Sequence, residues 1–316
     1  MRTDILTITL NPTVDYATTA PLILRDQKLR CTEPQIDPGG GGINVARAIR
    51  KLGGQATALV AIGGATGAHL LQLLALEGVP TVAFQGPGET RQSMTVNEDS
   101  SGEQLRFVMP GPSWSQADVA RGLNSIDQAA GDGTFVVLSG SQPPGVAKDF
   151  PTILAEHVAG RQAHLIVDTS GPALQHLAER AHDAIHVLRM DGEEAEGLAG
   201  RPLPERADSA GFARVLVDRG VARNVIVARG ADGSVLVSND GAWHCVAPKV
   251  KVNSKVGAGD SFVGAFTLSA ARGEPLQSSL QLGVAAASAA VASQATQLCD
   301  PKMTQEILAD CTLSQI

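Results

Sequence analysis

The run Val256-Gly-Ala-Gly-Asp260-Ser261-Phe262 puts small residues and one carboxylate ahead of a helix-like stretch, Val263 to Ala271, that stops at Gly273. Free backbone N–H groups at a helix start can hold developing negative charge, and a carboxylate beside them can take a proton from an attacking hydroxyl. Gly257, Ala258, Gly259 and Asp260 therefore suit phosphoryl transfer; the alternative is that Asp260 merely caps its helix. A second run, Pro38-Gly-Gly-Gly-Gly-Ile-Asn44-Val-Ala46, places four glycines directly before another helix. Gly40 and Gly41 would let an anion or polar ligand approach the backbone, and the Asn44 amide can donate and accept to a hydroxylated ligand; a need for tight turns is the alternative.

Neither run is a standard nucleotide loop. The glycines at 39–42 are contiguous, unlike a dinucleotide fingerprint, and Gly140-Ser-Gln-Pro-Pro-Gly145 is followed by Val146-Ala147 where a Walker loop needs Lys and Ser/Thr.

The elements that must position these runs alternate. Apolar strands read at Ile5 to Leu10, Thr134 to Leu138, Leu165 to Val167 and Val225 to Val227. Helices read at Asn44 to Leu52, Thr66 to Glu77, Asp118 to Ala130 and Ala207 to Arg219, with glycines near their ends. That rhythm predicts an α/β fold, a mostly parallel sheet flanked by helices. Segments 13–37 and 90–109 break it with short β-like alternations around a turn at Asp99-Ser-Ser-Gly102, which predicts a small β-sheet standing off the main one, as a lid over a ligand or as plain surface hairpins. Such a sheet cannot bury both faces alone, so pairing with a second copy is expected.

Composition narrows the partners. The 316 residues are 43% hydrophobic and carry 25 Lys+Arg against 32 Asp+Glu, a net charge of -7, which argues against nucleic acid or an anionic membrane as partner. The Ala-rich stretch 282–292 is too short to span a bilayer, and the start of the chain reads into a strand without an export leader, so a cytoplasmic protein is expected. Cys31, Cys245, Cys299 and Cys311 have neither zinc nor disulfide spacing and read as free thiols, with Cys299 and Cys311 the pair that oxidation would join. His69, His157, His164 and His176 are scattered and are given no chemistry.

Taken together, Asn11-Pro-Thr-Val-Asp15, Lys28 to Thr32, Pro38 to Ile49, Gly102 to Gly111, Ser139 to Gly145 and Val256 to Ser261 resemble the ribokinase-like PfkB carbohydrate kinases nearly end to end. The Gly-Gly-x-Asn44-x-Ala46 signature, with Gly53 and Gly63 at the family spacing, is its most specific part. The resemblance implies one ribokinase-like kinase domain over residues 1–316 with a lid at about 13–37 and 90–109, a homodimer formed through that lid, and transfer of the ATP γ-phosphate with Mg2+ to a phosphosugar hydroxyl. Fructose 6-phosphate leads as acceptor, with tagatose 6-phosphate and fructose 1-phosphate as alternatives. It implies Asp260 as base; Asp15, Gly40, Gly41, Asn44 and Ser141 at the sugar; and Arg91 on its phosphate, with Arg106 and Lys28 as weaker candidates. On the nucleotide side it implies Arg189, Asp191, Arg229, Gly230, Lys255, Val256, Val284 and Ser288, with Glu194 and Asp191 holding metal through water.

The departures from the family gather on that nucleotide side. Arg189-Met-Asp191-Gly-Glu-Glu194 stands where close members carry Lys-Pro-Asn-x-x-Glu, and Lys255 replaces a common Thr, so that an added carboxylate and an added cation offset each other. Ser293, Ala295 and Gln297 replace the Asn, Gly and Arg of the monovalent-cation loop, which puts potassium activation in question. Two other classes remain, a phosphosugar-binding protein that has lost catalysis and, less favoured, a nucleotide-dependent oxidoreductase.

Overall fold

The computed structural model of the chain describes residues 5–182, 184–293 and 296–316. In chain order the first half holds β1 (Ile5–Thr9), β2 (Thr13–Ala20), β3 (Gln35–Gly39), α1 (Gly41–Lys51), β4 (Thr57–Ile62), α2 (Gly64–Leu76), β5 (Thr81–Gln85), β6 (Arg91–Glu98), β7 (Gln104–Val108) and α3 (Gln116–Ala129). There follow β8 (Phe135–Ser139), α4 (Phe150–Ala159), β9 (His164–Asp168), α5 (Gly171–Ala178), β10 (Ile185–Asp191), α6 (Gly192–Ala199), α7 (Arg206–Asp218), β11 (Asn224–Ala228), β12 (Ser234–Ser238), β13 (Gly241–Val246), α8 (Ala258–Ala271), α9 (Leu276–Ala292), α10 (Pro301–Ala309) and β14 (Thr312–Gln315).

Ten strands form one sheet in the order β14-β13-β12-β11-β10-β9-β8-β1-β4-β5, parallel from β5 through β11 and antiparallel beyond it. The central parallel strands are mostly apolar because both faces are covered, whereas the edge strand β5 is largely exposed. Val136 and Leu138 of β8 point into one core with Ile126, Leu154, Leu174 and Leu216 of the helices; Val137 between them points into the other with Val45, Leu70, Phe262 and Val284. This matches the expected α/β class.

The second sheet, β3-β2-β6-β7, comes from the two segments that broke the helical rhythm, with β3 running two residues past the first of them. Strand β7 is exposed along its whole length, and Met94, Leu105, Phe107 and Val108 leave apolar side chains uncovered. Among the described residues no helix is long and apolar enough to cross a membrane.

One local expectation is corrected. The four glycines do not all precede α1, since Gly41 and Gly42 lie inside its first turn. A Cβ on Gly41 would meet Gly140 N at 2.6 Å, and one on Gly42 would press on Ile8 O. Close approach of the helix end to β1 and β8 therefore demands glycine there, whereas Gly40, at φ 117, meets the turn requirement.

Candidate functional site

Strands β8, β9 and β10 end in Ser139, Asp168 and Asp191, so the topology delivers three polar side chains to one edge of the sheet, the carboxyl edge where open α/β sheets gather ligands. A cleft of about 180 Å³ opens there, lined by Ser139, Ser141, Asp168, Arg189, Glu194 and Asp260 together with Gly140, Thr169 and Ser170.

Helix α8 brings Asp260 to this cleft. Gly257, at φ 75 in the left-handed region, turns the chain into the helix, and no side chain caps it. Asp260 is therefore free for other partners. It accepts from Asn44 Nδ2 at 3.0 Å and lies 3.4 Å from Ser139 Oγ. Burial and the nearby Asp168 charge push its carboxyl up to about 6, against the pull of Asn44, Arg189 and Ser139. A carboxylate with that value is poised to take a proton near neutral pH. The plain-cap alternative does not describe this geometry.

Asn44 is itself held. Arg47 Nη1 donates to its Oδ1 at 3.2 Å and to Pro38 O at 3.1 Å, and Arg47 binds Glu77 through Nε at 2.6 Å and Nη2 at 2.7 Å. Asp37 of β3 closes the cluster, 3.5 Å from Arg47 Nη2.

On the opposite wall Arg189 Nη1 donates to Asp168 Oδ1 at 3.0 Å. Burial works against its charge, but Asp168 with Glu194 and Asp191 outweighs it and raises the guanidinium above its ordinary value. Its Nε has no partner among the described residues. Asp191 and Glu194 cap α6 reciprocally, Glu194 N donating to Asp191 Oδ1 at 2.9 Å and Asp191 N to Glu194 Oε2 at 2.8 Å. Glu194 is pushed up first by burial and then by Asp191 and Asp168, a crowding of negative charge that a cation would relieve. Among the described residues no three acidic, His or Cys side chains converge tightly enough to cage a metal. Glu194 and Asp191 offer oxygen donors of the kind a hard dication takes.

The residues expected at the sugar lie on the small sheet, at the start of α1 and on the turns after β1 and β8. Asp15 lies under Gly39, where a Cβ would collide with its carboxylate, and burial raises it against the pull of Thr13 and then Arg91. Arg91 donates from Nε and Nη2 to Asn11 O at 3.3 and 3.2 Å, and burial lowers it. Asn11 Nδ2 reaches Ser141 Oγ at 3.2 Å. Arg106 is exposed on β7, close enough to Asp15 to favour its charge.

Other expected residues fall elsewhere. Lys28 is exposed on the connection between β2 and β3, and Lys255 is exposed ahead of Val256 and Gly257. Arg229 turns into its own fold, donating to Asp232, Leu203 O, Pro204 O, Glu205 O and Ser209 Oγ, while Gly230 opens a short 3-10 turn. Val284 is buried in α9, and Ser288 is half-buried one turn on. Ala295 lies outside the described residues. Sequence reasoning missed Asp168, Ser139 and Arg47. Asp168 directly follows the apolar run 165–167, and its place at a strand's carboxyl end was the available signal; Arg47 carried none.

A family model described as pfkB family carbohydrate kinase matches residues 7–303. The chain belongs to that family, whose members are ATP-dependent kinases acting on sugars. It is 43% identical over 305 residues to the ATP-dependent 6-phosphofructokinase isozyme 2 of Escherichia coli, covering 96% of this chain and 98% of that one. Solved structures of the phosphofructokinase-2 from Escherichia coli superpose on it: a complex with potassium (TM-score 0.91, 42% identical), a complex with fructose-6-phosphate (0.89, 41%) and a tetrameric inhibited form (0.89, 41%). Each covers 97% of this chain and 98% of that one.

Proposed function

We propose that the chain phosphorylates fructose 6-phosphate to fructose 1,6-bisphosphate with Mg-ATP. The observation that carries this is Asp260, raised to about 6, at the start of α8 and bonded to Asn44 and Ser139 at the mouth of the cleft. Asp260 takes the proton of the attacking sugar hydroxyl, while the backbone N–H groups at Gly257, Ala258 and Gly259 face the charge that develops on the transferred phosphoryl. Asp15, Gly40, Gly41, Asn44 and Ser141 orient the sugar. Arg91 pairs with its phosphate, a task for which the guanidinium fork suits the oxygens, and Arg106 and Lys28 approach it when the small sheet folds over.

On the nucleotide side Arg189 spreads its charge between Asp168 and the phosphates, and Asp191 and Glu194 hold Mg2+ through water. Lys255 adds a cation beside Val256 at the phosphate loop. Arg229 and Gly230 shape the wall beyond β11 rather than touching phosphate, and Val284 and Ser288 border the base. Ser293 and Gln297 offer a monovalent cation a different loop from the one inferred for the family, which puts potassium activation in question; turnover with and without K+ decides it.

The apolar side chains left uncovered on the small sheet support a homodimer formed through it, in a single kinase domain with lid segments 13–37 and 90–109 that works in the cytoplasm. The test is ADP formation from Mg-ATP with fructose 6-phosphate, tagatose 6-phosphate, fructose 1-phosphate and free fructose, beside Asp260→Asn. Fructose 6-phosphate is expected to give the highest kcat/KM, with a loss of about 10²- to 10⁴-fold in the variant. Binding of a phosphosugar without turnover by any of them would make this a binding protein instead.

A further inference from the structure

The spacing of the cysteines makes Cys299 the natural partner for Cys311, but the fold faces Cys311 with Cys245. Cys245 is fully buried in β13, and Cys311 is half-buried in the link between α10 and β14. The two strands run antiparallel with Cys245 opposite Leu313. Cys311 precedes Leu313 by two residues, so it lies toward the face that Cys245 uses. Both side chains pack into one apolar cluster with Leu313 and Leu236. Cys299 is buried with Leu298 and Ile307 in the adjoining cluster, which Cys311 also borders, but it has no place in the β13–β14 ladder.

We propose that Cys245 and Cys311 are a reversible dithiol–disulfide pair that takes a low-molecular-weight disulfide as its oxidant. Cys311 is the less buried of the two, and the neighbouring Cys245 thiol favours its thiolate, whereas Cys311 and then burial keep Cys245 protonated. The Cys311 thiolate attacks one sulfur of the oxidant, forming a mixed disulfide and releasing one small thiolate. Cys245 then gives its proton to that thiolate and attacks Cys311 Sγ, releasing the second small thiol. Two protein S–H groups and one oxidant S–S bond become one protein S–S bond and two small thiols. Cys311 belongs to a link rather than to a strand, so it can close the remaining gap to bonding distance without breaking the β13–β14 ladder. The loop so closed contains Asp260 and the helices α8 to α10, which ties the segment carrying the proton acceptor to the sheet edge.

The test treats the full-length protein with oxidised glutathione, blocks remaining thiols with N-ethylmaleimide and maps unreduced peptides by mass spectrometry. The expected result is a Cys245–Cys311 cross-link that dithiothreitol reverses, with glutathione retained on exposed Cys31 as the internal control. In Cys245→Ser, glutathione is expected to stay on Cys311 at least tenfold longer than in the wild type, because the resolving thiol is gone. A stable glutathione adduct on wild-type Cys311, a Cys299–Cys311 cross-link, or two untouched thiols while Cys31 is modified would each overturn the proposal.

Discussion

Asn44 Nδ2 donates to Asp260 Oδ2 at 3.0 Å across 216 residues of chain, joining the starts of α1 and α8. The same amide accepts from Arg47, so the carboxylate is the end of a chain of hydrogen bonds that begins at Glu77. Each link in that chain is a place to perturb turnover.

The acid limb of kcat/KM tests the carboxylate. With Asp260 at about 6, activity is expected to fall tenfold per pH unit below that value. The Asp168 charge helps to raise Asp260, so Asp168→Asn moves the midpoint to lower pH; Ser139 Oγ stabilises the ionised form, so Ser139→Ala moves it higher. A pH profile of each variant decides both signs.

The same shift runs through stability. A carboxyl held above its unfolded value of 3.8 contributes stability at low pH that is lost as pH rises through about 6. Asp260→Asn is therefore expected to raise stability at pH 7 by up to about 3 kcal/mol while removing turnover, as urea unfolding at pH 7 would read.

Arg47 is a positioning residue in this arrangement, 4% exposed and tied to Glu77, Pro38 O, Asn44 and Asp37. Arg47→Met leaves Glu77 and Asp37 without their cation and is expected to cost about 3–5 kcal/mol by urea unfolding. Glu77→Gln keeps the shape and should lower kcat and raise KM for the sugar phosphate, each several-fold, because it slackens the Asn44 amide that both holds Asp260 and orients the sugar. A matched fall in stability without a kcat effect would reduce Arg47 to a structural tie.

A histidine at the opposite end of the sheet sets an acid limit on the fold. His186 packs 4.9 Å from His164 and 6.1 Å from Phe135 by ring centroids, and burial, then His164 and Arg223, push it down to about 4. Its contribution is whole above 6.5 and is lost as pH falls toward 4, about 3 kcal/mol in all. His186→Phe should flatten that part of the stability profile.

Glycines divide by what surrounds them. Gly41→Ala drives a methyl against Gly140 N and Ser139 and should separate α1 from β8, abolishing most activity. Gly211, exposed in α7 with nothing near, should accept Ala with a gain of up to about 1 kcal/mol in thermal or urea unfolding.

Much of this was legible locally. Strands β1, β8, β9 and β11 lie on the apolar runs that announced them, and α2, α3 and α7 are within two residues of their expected bounds, because period and glycine stops are properties of neighbouring residues. The helix α1 began three residues early because its glycines answer to β1 and β8, which lie far off in the chain. Asp260 and Asn44 stood out through their glycine-rich neighbours. Asp168 did not, being one carboxylate at the end of a short strand, and Arg47 looked like any helix arginine.

The amino-acid sequence by itself determined the layered α/β class, the small second sheet, and the two glycine-rich helix starts, since periodicity, glycine and charge type act over a few residues. Only the tertiary structure decided that Asn44 meets Asp260, that Asp168 takes the Arg189 guanidinium, and that Cys311 faces Cys245. Those pairings depend on the order of strands in the sheet, which brings together chain ends that no local pattern connects.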